Sequence, residues 1–485
     1  MRYLVLATDF DGTLAEDGVV PPETISALEN CRASGRHLLM VTGRELTELK
    51  VVFPHLHLFD FVVVENGATL YNPQTDEEQA LTDPPSPEFV RALQSRHVSP
   101  LSVGKVIVAT CTPHENDVLE VIRDLGLEMQ VIFNKGAVMV LPSGVNKATG
   151  LKAALSLLKI SPHNVVSVGD GENDHALLTF SELGVAVSNA VPMLAERADW
   201  VTKGARGYGV VELVDSLIKT DFRGLESRLR RHDIPFAHSA GQVAINIPPY
   251  ETKMEMLGVQ NLNDWWEVAE FGGRIAAQGY QLCVILPDVE HAELFKTLIP
   301  NSSVITGKVS DGVSILKDIK SHLIFDVAQL SARNPTTSIP ELLQGMTNLR
   351  SRLGRPHWIL VCEPERILHS PADWKTLLEQ HSSILLASSL LPSQIPDEIR
   401  QATQFCVCFN PDVSRDFQQI TKLRTVDQSL SQPTQDQSVS RRAFWSRGTN
   451  DLVSIELIRK DNPGTDAVTE IASRTGATPD PARTG

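Results

Sequence analysis

The chain has 485 residues, 42% of them hydrophobic and 21% charged, and a net charge of -15. That length allows two or three domains around sizeable cores, and the balance is ordinary for a globular protein. The acidic sum excludes broad electrostatic attraction to nucleic acid or anionic lipid, though not a local basic patch.

From the start, "MRYLVLATDF" is too short an apolar run for a secretory signal, and no segment reaches membrane-spanning length, so a cytoplasmic setting is expected. Over the first ~215 residues, the apolar runs "YLVLA", "HLLMVT", "FVVVEN", "NVVSVGD", "GVAVSN" and "ADWVT" alternate with helix-period stretches such as "PETISALENCRASG" and "NKATGLKAALSLLKI". Fully apolar strands separated by helices predict a parallel sheet covered on both faces, hence an α/β fold.

Residues 82–145 interrupt this alternation. Two helix patterns, "PEFVRALQSRH" and "HENDVLEVIRDLG", and the strand-like "GKVIVATC" precede "LEMQVIF" and "GAVMVL", which are joined by "NKG" as in a hairpin. A compact α+β insert is expected, placed over the carboxyl ends of the parallel strands as a lid.

A second mixed region starts near Asp221 with "QLCVILP", "HLIFDV", "HWILVCE", "SILLASS" and "FCVCF" as its strand runs, and it predicts a second α/β domain. Six cysteines are scattered through the chain, and the close pair Cys406 and Cys408 reads as part of a buried strand rather than half a zinc site. From about residue 426 the chain turns Gln- and Ser-rich, and 426–485 is expected to be a polar linker and disordered tail.

Three apolar runs of the first domain end in matching polar residues: the first in Asp9 and Asp11, the second in Thr42, Gly43 and Arg44, the third in Asp170, Glu172, Asn173 and Asp174. In an open parallel sheet these carboxyl ends meet in the ligand crevice. "SGVNKATGL" adds Lys147 at a helix start. Several carboxylates together call for a hard cation, for which oxygen ligands suit Mg²⁺. A hydroxyl, backbone N–H groups beside a glycine and a lysine are donors for a phosphate. In this setting Asp9 reads as a nucleophile on phosphorus and Asp11 as the acid/base. Each group alone has a plainer explanation, a solvated turn or a helix cap, but the plain explanations do not account for their convergence. His175 reads as structural, and Glu65 and Asn66 in "VVVENGATLY" read equally as a turn.

"DFDGTL", "VTGR", "GVNKATGL" and "GDGENDHALL", in this order, resemble the four motifs of the haloacid dehalogenase superfamily, and the lid between the second and third is similar to that of its Cof-like sugar-phosphate phosphatases. The resemblance implies a core at 1–81 and 146–219 with a cap at 82–145. It further implies Asp9 as nucleophile and metal ligand, Asp11 as acid/base giving its carbonyl to the metal, and Asp170 and Asp174 completing a Mg²⁺ site. Thr42, Gly43, Lys147 and Asn173 would hold the phosphoryl oxygens, with Arg44 as a further contact. The activity implied is hydrolysis of a small phosphorylated metabolite such as a sugar phosphate. A phosphomutase, or a non-catalytic metabolite sensor or assembly protein, remains the alternative.

Residues 220–425 resemble, in the order of their elements, a hexameric DNA-translocating P-loop ATPase, with damaged chemistry. No G-x-x-x-x-G-K-[ST] is present, and Cys362 and Glu363 stand where an Asp-Glu pair would be expected. A thiol is a poor Mg²⁺ ligand. The expectation is a degenerate P-loop-like domain that does not hydrolyse nucleotide but binds a nucleotide or a protein partner, or promotes self-association; a nucleic-acid partner or a membrane is not expected.

Overall fold

The computed structural model describes residues 1–225, 229–328, 335–368, 371–380, 383–421 and 442–458. The chain divides into two compact units, Met1–Arg228 and Leu229–Gly485. Among the described residues no helix is long and apolar enough to cross a membrane.

In the first unit the strands are β1 (Val5–Thr8), β2 (His37–Val41), β3 (Phe61–Val64), β4 (Thr69–Asn72), β5 (Glu77–Ala80), β6 (Ser102–Val103), β7 (Val108–Cys111), β8 (Met129–Asn134), β9 (Ala137–Pro142), β10 (Val165–Gly169), β11 (Leu183–Ala186) and β12 (Trp200–Val201). One sheet has the order β12-β11-β10-β1-β2-β3-β4-β5, parallel from β12 to β3 and antiparallel at β4 and β5. β1 lies between β10 and β2, with Thr8 level with Val168 and Met40. The chain winds outward in both directions from β1, so the crevice beyond its carboxyl end is where such a sheet binds ligands. β1 is buried throughout, as its unbroken apolar sequence requires. The polar "EEQA" of β5 gives no strand signal; it is an exposed edge, where pairing needs only the backbone.

α1 (Pro22–Ala33) follows the β1 loop. α2 (Leu46–Val52), α3 (Pro87–Ser95) and α4 (Glu115–Asp124) come next in the chain, followed by α5 (Lys147–Leu158), α6 (His175–Phe180), α7 (Pro192–Arg197) and α8 (Arg206–Thr220). α5 begins on a reciprocal cap: Asn146 Oδ1 accepts from the N–H of Ala148 at 3.0 Å and of Thr149 at 3.1 Å, and Thr149 Oγ1 accepts from Asn146 N–H at 3.0 Å. This fixes Lys147 as the first helical residue. A Cβ at Gly150 would stand 2.3 Å from Val63 Cγ1, so the missing side chain lets α5 lie against β3.

The second small sheet, β6-β7-β9-β8, is antiparallel and carries α3 and α4 on a core that includes Phe89, Leu93, Val118 and Val140. β8 and β9 pair from Met129–Pro142 to Asn134–Ala137, which leaves a two-residue turn, Lys135–Gly136. Both turn residues have positive φ, 47° and 87°, as a type I′ hairpin requires.

In the second unit the strands are β13 (Ile234–Ser239), β14 (Ala244–Ile247), β15 (Lys253–Leu257), β16 (Leu282–Leu286), β17 (Ser302–Ile305), β18 (His322–Asp326), β19 (Trp358–Cys362), β20 (Ser383–Ser388), β21 (Phe405–Cys408), β22 (Arg442–Ser446) and β23 (Asp451–Leu457). Their order is β14-β13-β23-β22-β21-β15-β20-β19-β16-β18-β17. Pairing is parallel from β21 to β17 and antiparallel from β21 to β14. β22 and β23 correct the expectation of an unstructured tail from 426 onward. "RAFWS" and "DLVSIEL" are short apolar runs masked in composition by the Gln/Ser-rich stretch before them, and their pairing buries Phe444, Trp445, Leu452 and Ile455. The remainder of the expected linker and tail, 426–441 and 459–485, lies outside the described residues.

Candidate active site

The loop after β1 carries the opening aspartates in different environments. Asp9 is 4% exposed, whereas Asp11 is only partly covered. Lys147 Nζ, 1% exposed, donates to Asp9 Oδ1 and to Asp174 Oδ1, both at 2.6 Å. Asp174 Oδ2 accepts from the backbone N–H groups of Asp170 and Gly171, each at 2.9 Å, so both Asp174 oxygens are engaged in ordering the loop and the lysine. Asp170 Oδ1 accepts from Thr13 Oγ1 at 3.2 Å, and its Oδ2 from Asn189 Nδ2 at 3.3 Å.

The charges explain the titration of these groups. Burial pushes the Asp9 carboxyl up to about 7, against the pull of Lys147 and with Asp174 and Asp170 adding repulsion. Burial works against the Lys147 ammonium, but Asp174 and Asp9 outweigh it and hold its pKa above the ordinary lysine value. Asp170 is also raised, by burial first, with Lys135 opposing. Asp9, Asp170 and Asp174 each bring a carboxylate oxygen within 4.8 Å of the others. Three crowded carboxylates with hard oxygen donors fit a divalent cation such as Mg²⁺, with Asp9 and Asp170 as the residues that would hold it.

Asp11 turns toward Arg44, which donates through Nε to Oδ2 at 2.6 Å and through Nη2 to Oδ1 at 2.7 Å. Immediately after Asp11, Gly12 has φ +83°; a Cβ there would come 2.2 Å from Asp170 Oδ2. Only glycine lets the turn pass so close to the fourth motif. Thr42 is buried at the end of β2, and its Oγ1 accepts from Arg44 N–H at 3.2 Å. Gly43 faces Asn173 Nδ2 at 3.7 Å from its ideal Cβ position. Asn173 Nδ2 donates to Asn66 Oδ1 at 2.9 Å, which fixes the amide. The nine residues singled out in the sequence, from Asp9 to Asp174 with Arg44 among them, thus lie around one crevice. Arg44 holds Asp11 directly.

Four participants escaped the sequence reading. Asn66, set aside as a turn residue, fixes Asn173. Its neighbour Glu65 is buried and accepts from the N–H groups of Lys105 at 2.8 Å, Val106 at 2.7 Å and Ile107 at 2.9 Å, clamping the chain between β6 and β7 to the core. Asn189 braces both Asp170 and the Gly12 carbonyl, the latter at 2.9 Å. Lys135, at the tip of the β8–β9 hairpin, reaches Asp170 Oδ2 at 2.5 Å. The apolar run "FVVV" ending in "ENG" was the available signal for the first two; a lone turn lysine offered none.

A family model described as haloacid dehalogenase-like hydrolase matches residues 6–103 and 102–214. The chain is 30% identical over 218 residues to a phosphoglycolate phosphatase of Methanothermobacter thermautotrophicus, a match spanning 43% of this chain and 96% of the relative. It is 31% identical over 222 residues to a phosphoglycolate phosphatase of Natronomonas pharaonis, covering 43% and 96%. Among solved structures, a haloacid dehalogenase-like hydrolase from Bacteroides thetaiotaomicron is similar at 19% identity and a TM-score of 0.40, covering 44% of this chain and all of the other.

Proposed function

The chain belongs, through residues 6–214, to the haloacid dehalogenase-like hydrolases and is a phosphoric monoester hydrolase acting on phosphorylated small molecules; from that premise we propose that it is Mg²⁺-dependent and works through a phosphoryl group carried on Asp9. The observation that supports this most is the buried Asp9 at the end of β1, held by Lys147 and crowded by Asp170 and Asp174. Asp9 attacks phosphorus as the ester P–O bond breaks, and Asp11 gives its proton to the leaving oxygen. Asp11 then takes a proton from water, whose oxygen attacks the same phosphorus and releases inorganic phosphate and the Asp9 carboxylate. Thr42, the Gly43 N–H, Lys147 and Asn173 hold the phosphoryl oxygens. Asp9 and Asp170, with Asp11 and Asp174 beside them, would hold Mg²⁺, which would supply positive charge against the phosphoryl group.

The substrate is a small phosphorylated metabolite in the cytoplasm. A sugar phosphate follows from the likeness to the Cof-like enzymes, and a short phosphorylated acid from the names of the relatives. Phosphate release from a panel containing both classes, with Mg²⁺ and with chelator, tests the reading. Metal-dependent release that Asp9→Asn abolishes is expected, and release that persists in Asp9→Asn would remove Asp9 from its role.

For the second unit we propose a degenerate P-loop-like domain without nucleotide hydrolysis. Between β15 and α9 (Leu262–Ala277) only Gly258–Asn261 intervene. The start of α9 is filled from within: Asn261 Oδ1 accepts from Asp264 N–H at 3.1 Å and Asp264 Oδ2 from Gln260 N–H at 3.0 Å. Asp264 and Glu267 there pair with Arg442 of β22 at 2.6 and 3.1 Å. A helix end already capped and carrying two acids is a poor place for a phosphate. ATP turnover by the full chain, retained in Asp9→Asn, would contradict this.

A further inference from the structure

The tip of the β8–β9 hairpin joins the cap to the metal-binding carboxylates. Lys135 Nζ lies 2.5 Å from Asp170 Oδ2 and would be 2.6 Å from a Cβ on Gly12, so the ammonium sits against the turn that follows Asp11. The hairpin backbone follows it down: Lys135 N–H points to Glu172 Oε2 at 3.4 Å, and a Cβ on Gly171 would meet Asn134 Oδ1 at 2.6 Å. That Asn134 oxygen is buried without a hydrogen-bond partner, so the docked tip is not a fully satisfied interface.

The residue type is also unfavourable for its place. The first central position of a type I′ turn needs positive φ and favours asparagine, aspartate or glycine. Lys135 occupies it at φ 47°. Turn stability does not account for a lysine there, whereas a charge delivered to Asp170 does.

The charge balance gives the contact a direction. Asp9, Asp170 and Asp174 face Lys147 and Lys135, and a divalent cation held among these carboxylates would compete with Lys135 for Asp170. Once the phosphoryl dianion of a substrate enters as well, the crevice again has room for a further positive charge.

Resting on the metal reading above, we propose that Lys135 is a substrate-positioning residue carried by the cap, parked on Asp170 in the metal-free protein and exchanged onto the phosphoryl group once a divalent metal takes its place. Metal entry and release of the cap tip from Asp170 are then one event, and the same lysine closes the cap again over an anionic ligand. The Lys135 side chain is 47% exposed even when parked, which leaves it free to make the exchange.

Lys135→Asn removes the charge while giving the turn the residue it prefers, so the hairpin is kept; Lys135→Arg keeps the charge. Calorimetric titration of the full chain with Mg²⁺ is expected to give two- to fivefold tighter binding, roughly, in Lys135→Asn than in wild type, with Lys135→Arg close to wild type. Titration of the Mg²⁺-loaded proteins with inorganic phosphate is expected to be about fivefold weaker in Lys135→Asn. A Lys135→Asn protein that matches wild type in either titration overturns the proposal while leaving the metal site standing. Absence of Mg²⁺ binding in wild type and variant alike overturns the metal reading itself.

Discussion

Arg44 holds Asp11 in a two-pronged grip, Nε to Oδ2 at 2.6 Å and Nη2 to Oδ1 at 2.7 Å, across 33 residues of sequence. The planar guanidinium fixes both oxygens of the proposed acid/base, which sits in a part of the site open to solvent. Arg44→Ala is expected to lower kcat by about 10- to 100-fold, through misplacement of Asp11, with the fold intact by circular dichroism. Arg44→Lys should recover only part of the loss, because an ammonium does not reproduce the fork. Wild-type kcat in Arg44→Ala would show that the grip has no catalytic consequence.

Lys147 is the sole ammonium within hydrogen-bond reach of both Asp9 and Asp174 among the described contacts. Lys147→Met leaves two buried carboxyls without their cation. The expected cost is about 3 kcal/mol in urea unfolding of the metal-free protein, together with loss of phosphate release. A variant as stable as wild type would mean that the carboxyls find another partner.

Glu65 ties the core to the cap through three backbone N–H groups. Removing the carboxylate in Glu65→Ala strands those donors, so stability should fall by about 2 kcal/mol and amide exchange should rise at residues 104–107. Unchanged exchange at those amides would count against the clamp.

Glu255 lies buried in β15 with its Oε1 unpartnered, and burial pushes its carboxyl from the ordinary 4.5 up to about 7, against weaker pulls from Thr403 and Arg400. The folded chain keeps a proton there that the unfolded chain sheds. Its contribution to stability is therefore complete below about pH 4.5 and lost as the pH rises through about 7, a change of up to about 3 kcal/mol. Glu255→Gln should flatten that part of the full chain's stability profile and be the more stable form at about pH 8. A profile with the same slope in both proteins would place the titration elsewhere.

Asp9, Thr42 and Asp170 were legible because each ends an unbroken apolar run, and such runs in alternation with helices leave few sheet topologies. Lys147 was legible from the helix start around Asn146. Long-range pairings were not: nothing local ties Arg442 to Asp264, 178 residues away, and that pair is what anchors β22 beside α9. The β22–β23 hairpin was hidden for a related reason, since each strand is short and its burial comes from strands far off in sequence. Lys135 could be placed in a hairpin turn but not over Asp170, because the docking of the cap on the core has no periodic signature.

The most direct test of the central claim uses Asp11→Asn with p-nitrophenyl phosphate, whose leaving group needs no proton while the second step still needs the missing base. Rapid acid quenching and peptide mass spectrometry should find a burst of nitrophenol matched by a phosphorylated peptide containing Asp9, absent in Asp9→Asn. A burst with the phosphoryl group on another residue, or turnover with no phosphorylated protein at any time, would contradict the account.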